Sequence, residues 1–280
     1  MSTITTSPPK PAVLAHPRPR RERGTAVRAR LLNWFAYSIF LFLYLPILIL
    51  VIYSFNANKV VGVWTGFTTD WYRVLWHNQA MISAFKVSIW VATWSTLIST
   101  ILGTLAAISL ERYRYRGKLP FDAVMYLPII IPDIVMALSA LLFFVIVAIP
   151  LSRYTILIAH VAFNISFVAV IVRARLADMD RNLEEAAADL GANEWTTFRR
   201  VTLPLLMPAI ISGALLAFTL SLDDFVITFF VSGPGSTTLP VRVYSMIKFG
   251  VTPEVNAIST LMLLGSTFLV VLSLVLQRRS

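Results

Sequence analysis

Six predominantly apolar stretches, near residues 34–55, 83–110, 120–149, 154–172, 204–231 and 256–276, limit what this chain can fold into more than any other feature. A helix crossing a ~30 Å hydrocarbon core needs about 20 such residues, so each stretch reads as a transmembrane helix. The second, third and fifth run longer than a crossing requires, which implies tilt or extension beyond the bilayer. Composition agrees: 57% of the residues are hydrophobic and only 14% charged, against about 25% charged in soluble domains. The fold class is an all-α integral membrane protein with six transmembrane helices.

The net charge of +10 would suggest a nucleic-acid partner in a soluble protein, but here its distribution decides. Seven lysines and arginines lie in residues 1–33, four in 111–119, five in 173–203 and two at 277–280, eighteen in all. The alternate segments hold six: Lys59, Arg73, Lys86, Arg153, Arg242 and Lys248. By the positive-inside rule both termini are cytoplasmic, with the lipid bilayer and no nucleic acid as surroundings. Arg20-Arg21 ahead of an apolar run looks like a twin-arginine export signal. The run of about 22 residues has no clear small-residue cleavage site, so it reads as an uncleaved first helix. The organisation is then a basic, unstructured tail over 1–33, a membrane domain over 34–276 and a short cytoplasmic end at 277–280.

Several chemistries are excluded. There is no cysteine, hence no disulfide or thiolate metal site. The histidines, His16, His77 and His160, form no metal-spaced pair, and no phosphate-binding glycine loop precedes Lys118. His160 reads as a hydrogen-bonded packing residue. Energy for any work must come from a partner or an ion gradient.

Three acids interrupt the apolar stretches. Asp133 follows Pro128 and Pro132 in the third, where the prolines should bend the helix, and bent helices at mid-depth are tolerated where they line a cavity. A structural Asp133, bonded to a neighbouring helix, is the other reading. Asp223 and Asp224 sit side by side in SLDDFVITFF, on a run otherwise uncharged from Leu203 to Val231. At ~1.5 Å per residue from Pro208, Asp223 lies about 22 Å along the helix, in the outer half of the membrane. Neighbouring helical residues point about 100° apart, so one carboxylate is expected to line a path while the other bonds a helix or caps a local break. In the second stretch Ser95, Ser99, Gly103 and Ala107 recur at four-residue intervals, a small-residue stripe suited to close helix packing.

The polar segment 173–203 reads as a helix, a turn and a second helix. Asn182 and Glu185 have capping-box spacing for a helix over Glu184–Leu190. Gly191 fits the left-handed residue that ends it, and a second short helix runs through Arg200. Pro204 and Pro208 fall in the first turns of the fifth span.

This segment resembles a known pattern. Glu185-Ala186-Ala187, three residues, Gly191, nine residues, Val201, one residue and Leu203-Pro204 are similar to the EAA loop of ABC importer permeases, with Val201 in place of Ile. The resemblance implies the type I importer permease fold and a loop that docks on an ATP-binding subunit. FNANKVVGVWTGFTTDWY (55–72), YLPIIIPDIVMALS (126–139) and the run from Ser221 to Ala257 further resemble the second permease type of spermidine/putrescine importers. That implies a second permease subunit, a homodimeric ATPase and an extracytoplasmic polyamine-binding protein. It also implies no cofactor in this chain, ATP and Mg being bound by the ATPase, and location in the inner membrane. Permeases for opines or 4-aminobutyrate share much of the pattern. A stand-alone channel or ion-coupled carrier, with the acids as ion sites, is the reading of a different class. Residues 56–82 and the Gly- and Pro-rich VSGPGSTTLP (231–240) form the expected outer surface for the binding protein.

Overall fold

The computed structural model describes residues 23–59, 62–248 and 250–278. Side-chain environments are described from residue 30 onward, except at 60–61, 249, 269–270 and 272–280. Of the tail expected over residues 1–33, residues 1–22, with the Arg20-Arg21 pair, lie outside this description. Within the remainder of 1–33 the chain is already helical, because α1 spans Arg23–Tyr53. Among the described residues the secondary structure is helical, with one isolated bridge between Asn56 and Phe67. The chain divides into two compact units, Met1–Ile49 and Leu50–Ser280. The described residues of the first belong to α1, whose Arg30–Tyr53 portion has a mean hydropathy of 2.6.

The second unit holds every expected site residue. Its first helices are α2 (Asp70–His77), α3 (Gln79–Arg112), α4 (Lys118–Ile130), α5 (Asp133–Ile146) and α6 (Arg153–Asp178). The short helices α7 (Asn182–Asp189) and α8 (Glu194–Thr197) then lead through a π-helical turn, Phe198–Thr202, into α9 (Leu203–Asp223). The chain ends with α10 (Val226–Val231), α11 (Leu239–Ile247) and α12 (Pro253–Arg278).

The core is the mutual packing of α3, α6 and α9. The small-residue stripe explains why these helices approach so closely. Ser95, Ser99, Gly103 and Ala107 are all buried along α3. A methyl group added to Gly103 would lie 2.8 Å from Cβ of Val168 and 2.9 Å from the carbonyl oxygen of Ile165, both on α6. Val168 also meets Gly213 of α9, where an added methyl would lie 3.4 Å away. One branched side chain thus fills the space left by glycines on two helices, which is how membrane helices gain dispersion energy when lipid offers no hydrophobic drive. Ala107, Val172, Leu176, Leu206 and Ala217 extend this contact in one direction. Further along, Val91, Ala137, Phe144, Ile156, Ile227 and Val231 bring α5 and α10 into the core.

Two expected spans are broken. The third is two helices, α4 and α5, at 114° to one another. Pro132 lacks an amide hydrogen and drives the residue before it out of the helical region, and Ile131 accordingly has ψ 134°. The bend expected at the prolines is present, as a sharp break rather than a gentle curve. The fifth span divides at Asp224 into α9 and α10. At its other end it runs on without interruption from Glu194, so the second short helix expected through Arg200 is continuous with the span. The π turn accounts for this continuity. A proline ring at 204 collides with the carbonyl four residues earlier, that of Arg200, and the wider turn spanning Arg200 accommodates it.

Among the described residues four helices are long and apolar enough to cross a membrane, or five if the α4–α5 pair counts as one broken span. The sixth expected crossing falls on α12, which is only partly within the described side chains. Segment 231–240 is an ordered turn: the Ser236 hydroxyl donates to the Gly233 carbonyl at 2.7 Å and accepts from its amide at 2.8 Å.

Gly103→Val is expected to wedge α3 from α6 and lower stability by about 1–3 kcal/mol. Gly265→Ala, whose added methyl meets nothing within 4 Å among the described residues beyond its chain neighbours, should stay within about 1 kcal/mol of the parent. Thermal unfolding of the detergent-purified chain measures both; equal midpoints would remove the close approach as a determinant of the core.

Candidate functional site

The break at Asp224 is built from four helices. Asp224 leaves the helix with ψ 126°, and its own carboxylate turns forward to receive the amides that the break exposes. Oδ2 accepts from the Thr228 amide at 2.8 Å and from the Thr228 hydroxyl at 2.8 Å, while Oδ1 accepts from the Ile227 amide at 3.3 Å. These bonds cap α10, where the free amides and the helix dipole favour a negative charge.

The remaining face of that carboxylate meets His160 of α6. Nε2 of the imidazole lies 3.2 Å from Asp224 Oδ2 and 3.0 Å from Thr228 Oγ1. Nδ1 lies 2.7 Å from the hydroxyl of Ser221 on α9, which accepts in turn from Ser95 of α3 at 2.9 Å. The donor directions close when the imidazole proton is on Nε2: Ser95 donates to Ser221, Ser221 to Nδ1, and Nε2 to Asp224. His160 is only 2% exposed and the Asp224 side chain 16%. The histidine is therefore the hydrogen-bonded packing residue the sequence suggests, but its link to Asp224, 64 residues away, has no signature in the chain.

Asp223 behaves differently. Its side chain points away from this network, and its contacts are long ones, 3.4 and 3.5 Å from the hydroxyl of Ser266 on α12. The residue is exposed, as is Asp133 at the first turn of α5. The divergence expected of adjacent carboxylates is present. Asp224 is fully engaged in holding the break, and Asp223 and Asp133 lie exposed on otherwise apolar elements.

The EAA segment forms a second, separate cluster. Helix α7 begins without the expected capping box: Asn182 is its first residue, and its amide donates to Asp180 Oδ1 at 3.0 Å. Aspartate two residues upstream has displaced the Asn182–Glu185 pairing. Gly191 has φ +87°, the left-handed conformation expected, and its amide donates to the Ala188 carbonyl at 2.8 Å. The amide of Ala192 closes the motif on the Ala187 carbonyl at 3.0 Å, and that of Leu190 bonds the Ala186 carbonyl at 3.2 Å. Among the described residues, its chain neighbours aside, no heavy atom lies within 4 Å of the place a Gly191 side chain would occupy, so the position is demanding for its backbone alone. Asn193 caps α8 by accepting from the Thr196 amide at 2.8 Å. Val201 and Leu203 are half-buried, Pro204 is exposed and Glu185 is exposed. Leu190 and Trp195, 90% and 67% exposed, add apolar surface to the same loop. The neighbouring Glu184, which the motif does not include, carries the polar contacts: it accepts from Arg112 at 2.9 Å and from the Thr202 hydroxyl at 2.7 Å.

The chain matches the family model of the binding-protein-dependent transport system inner membrane component over residues 99–279. It is 51% identical over 219 residues to the putrescine transport system permease protein PotI of Escherichia coli strain K12, covering 76% of this chain and 78% of that one. It is 44% identical over 250 residues to the spermidine/putrescine transport system permease protein PotC of Haemophilus influenzae, covering 89% and 97%. The fold is similar to a chain of a bacterial ABC transporter involved in import of the acidic polysaccharide alginate. The TM-score there is 0.72 at 18% identity, over 91% of this chain and 98% of that one. With a motif loop at Gly191, a broken third span and a family match across most of its helices, the chain belongs to the binding-protein-dependent inner-membrane permeases of ABC transporters.

Proposed function

We propose that this chain is a permease subunit of an ATP-driven type I importer for polyamines such as putrescine and spermidine. The observation that carries the cargo class is Asp223, an exposed carboxylate on an apolar helix, with the Ser266 hydroxyl at 3.4–3.5 Å among the described residues. A polyamine carries several ammonium groups, and each loses hydration on entering a low-dielectric path. A fixed carboxylate offsets that loss at one point. Asp133, at the break in the third span, serves as the second station. Loose contacts suit the purpose, since a site that releases its cargo cannot hold it in a tight cage. Asp224 shapes the path by holding the break. The names of the relatives support the same cargo.

On this reading the working unit adds a second permease subunit, a homodimeric ATPase that binds ATP and Mg, and an extracytoplasmic binding protein. Six spans cross the inner membrane with both termini in the cytoplasm, α12 supplying the sixth. The loop Glu185–Pro204 docks on the ATPase, with Glu185, Ala186, Ala187, Gly191, Val201, Leu203 and Pro204 forming or positioning its contact surface. ATP binding draws the coupling loops together and opens the path outward. The binding protein, seated on 56–82 and 231–240, releases its cargo there, and hydrolysis resets the subunit.

Uptake of labelled putrescine by the four-component complex in proteoliposomes tests the proposal. ATP and the binding protein should both be required, and spermidine should compete where an opine or 4-aminobutyrate does not. Uptake driven by an ion gradient without ATPase would overturn it, and competition by the amino-acid-like compounds alone would reassign the cargo. In the same assay Asp223→Asn is expected to lose uptake while stability stays within about 0.5 kcal/mol of the parent. Asp224→Asn should instead cost about 1–3 kcal/mol of stability, since it weakens a buried cap and puts a donor where amide, hydroxyl and imidazole donors converge.

The loop gives its own test. Gly191→Val meets no packing conflict but forces a β-branched residue to a positive φ, at about 1–2 kcal/mol. It should leave the chain inserted and reduce ATPase association, whereas Gly191→Asn, which tolerates that conformation, should retain it. Equal association of both variants would contradict docking through this turn.

A further inference from the structure

We propose that Glu184, the residue preceding the EAA triplet, is the positioning residue through which movement of the coupling loop reaches the helical core. The proposal rests on the reading of the chain as an ATP-driven permease and names the device inside it.

Glu184 lies in the first turn of α7, where a carboxylate is favoured by the exposed amides. Its Oε1 accepts from Nη2 of Arg112 at 2.9 Å, the side chains being 24% and 15% exposed. The same oxygen accepts from the Thr202 hydroxyl at 2.7 Å, and Thr202 belongs to the π turn that leads into α9. One atom therefore ties the coupling helix to two of the three core helices, α3 at its last residue and α9 through its lead-in turn. Glu185, by contrast, is exposed and left available to a partner.

Residue 111, next to Arg112, extends the connection. Glu111 pairs with Arg173 of α6 at 3.3 Å, and Arg173 also pairs with Asp122 of α4. The last turn of α3 thus joins α7 on one side to α6 and α4 on the other. The adjoining Leu110 and Ala107, 1% and 0% exposed, fix that turn in the close-packed interior. A displacement of α7 reaches α3 through the Glu184 contact. Without it, α7 keeps its packing against the π turn and α8 and its chain connections at 179–181 and 190–193, which lie outside its helix.

The test uses the reconstituted complex of both permeases, the ATPase and the binding protein, with putrescine uptake measured per ATP hydrolysed. ATP-driven uptake by the parent complex comes first; its absence would count against the importer reading and not against Glu184. Given that uptake, Glu184→Arg and Arg112→Glu each place like charges against one another and should lower uptake per ATP about tenfold in complexes that still co-purify. The double variant Glu184→Arg/Arg112→Glu restores the opposite charges and should recover at least half of the parent ratio. Parent-like coupling in either single variant, or a double variant no better than the singles, would overturn the proposal. If charge reversal prevents assembly, Glu184→Gln, which keeps the shape and removes the charge, is read instead. A lowered ratio supports the proposal and an unchanged one overturns it.

Discussion

A broken helix inside an apolar span exposes amides that lipid cannot satisfy, and a carboxylate at the same depth adds a charge that lipid cannot solvate. Asp224 sets these two costs against each other. Its carboxylate receives the amides of Ile227 and Thr228, so the group that needs donors supplies the acceptor the break lacks. His160 meets the rest of the charge, and Ser221 and Ser95 satisfy the other face of the imidazole. Four helices are thereby held at one point. The direction of α10, its contact with α5 through Ile227 and Val231, and the outward projection of Asp223 all follow from that anchor.

The core that surrounds this anchor is built for close approach. Small residues on α3 and α9 receive Val168 of α6, and such a contact has little room to deform gradually. The consequence is mechanical. Helices packed at this distance shift together, and relative movement is left to irregular segments: the break after Ile130, the π turn at 198–202 and the break at Asp224. Two of those three carry an acid of the proposed path or its anchor, and the third lies within the proposed coupling loop. On that proposal the chemistry and the machinery share the same joints.

Parts of this arrangement are legible in the sequence because they have local causes. Pro132 breaks the third span through its own ring, Gly191 ends α7 through its own backbone, and the four-residue stripe on α3 marks its own packing face. What is not legible depends on residues far apart. Nothing near His160 announces Asp224, and nothing in the EAA pattern singles out Glu184 over Glu185. The capping box at Asn182 has the right spacing, yet Asp180 supplies an acceptor for the Asn182 amide, a competition that spacing alone does not resolve. The fifth span lacks a glycine or proline where it divides, so only the adjacent acids hinted at a break. The count of six crossings stays a matter of apolar length, since the described structure supplies four helices of that kind and one broken pair.

The division of labour between the two adjacent acids is the central claim, and the absence of cysteine in the chain makes it directly measurable. Single cysteines at 223 and at 224, introduced by Asp223→Cys and Asp224→Cys, would be exposed to a small cationic thiol reagent in the assembled complex. The account predicts rapid labelling at 223 and slow labelling at 224. Rapid labelling at 224 with none at 223 would reverse the roles and contradict it.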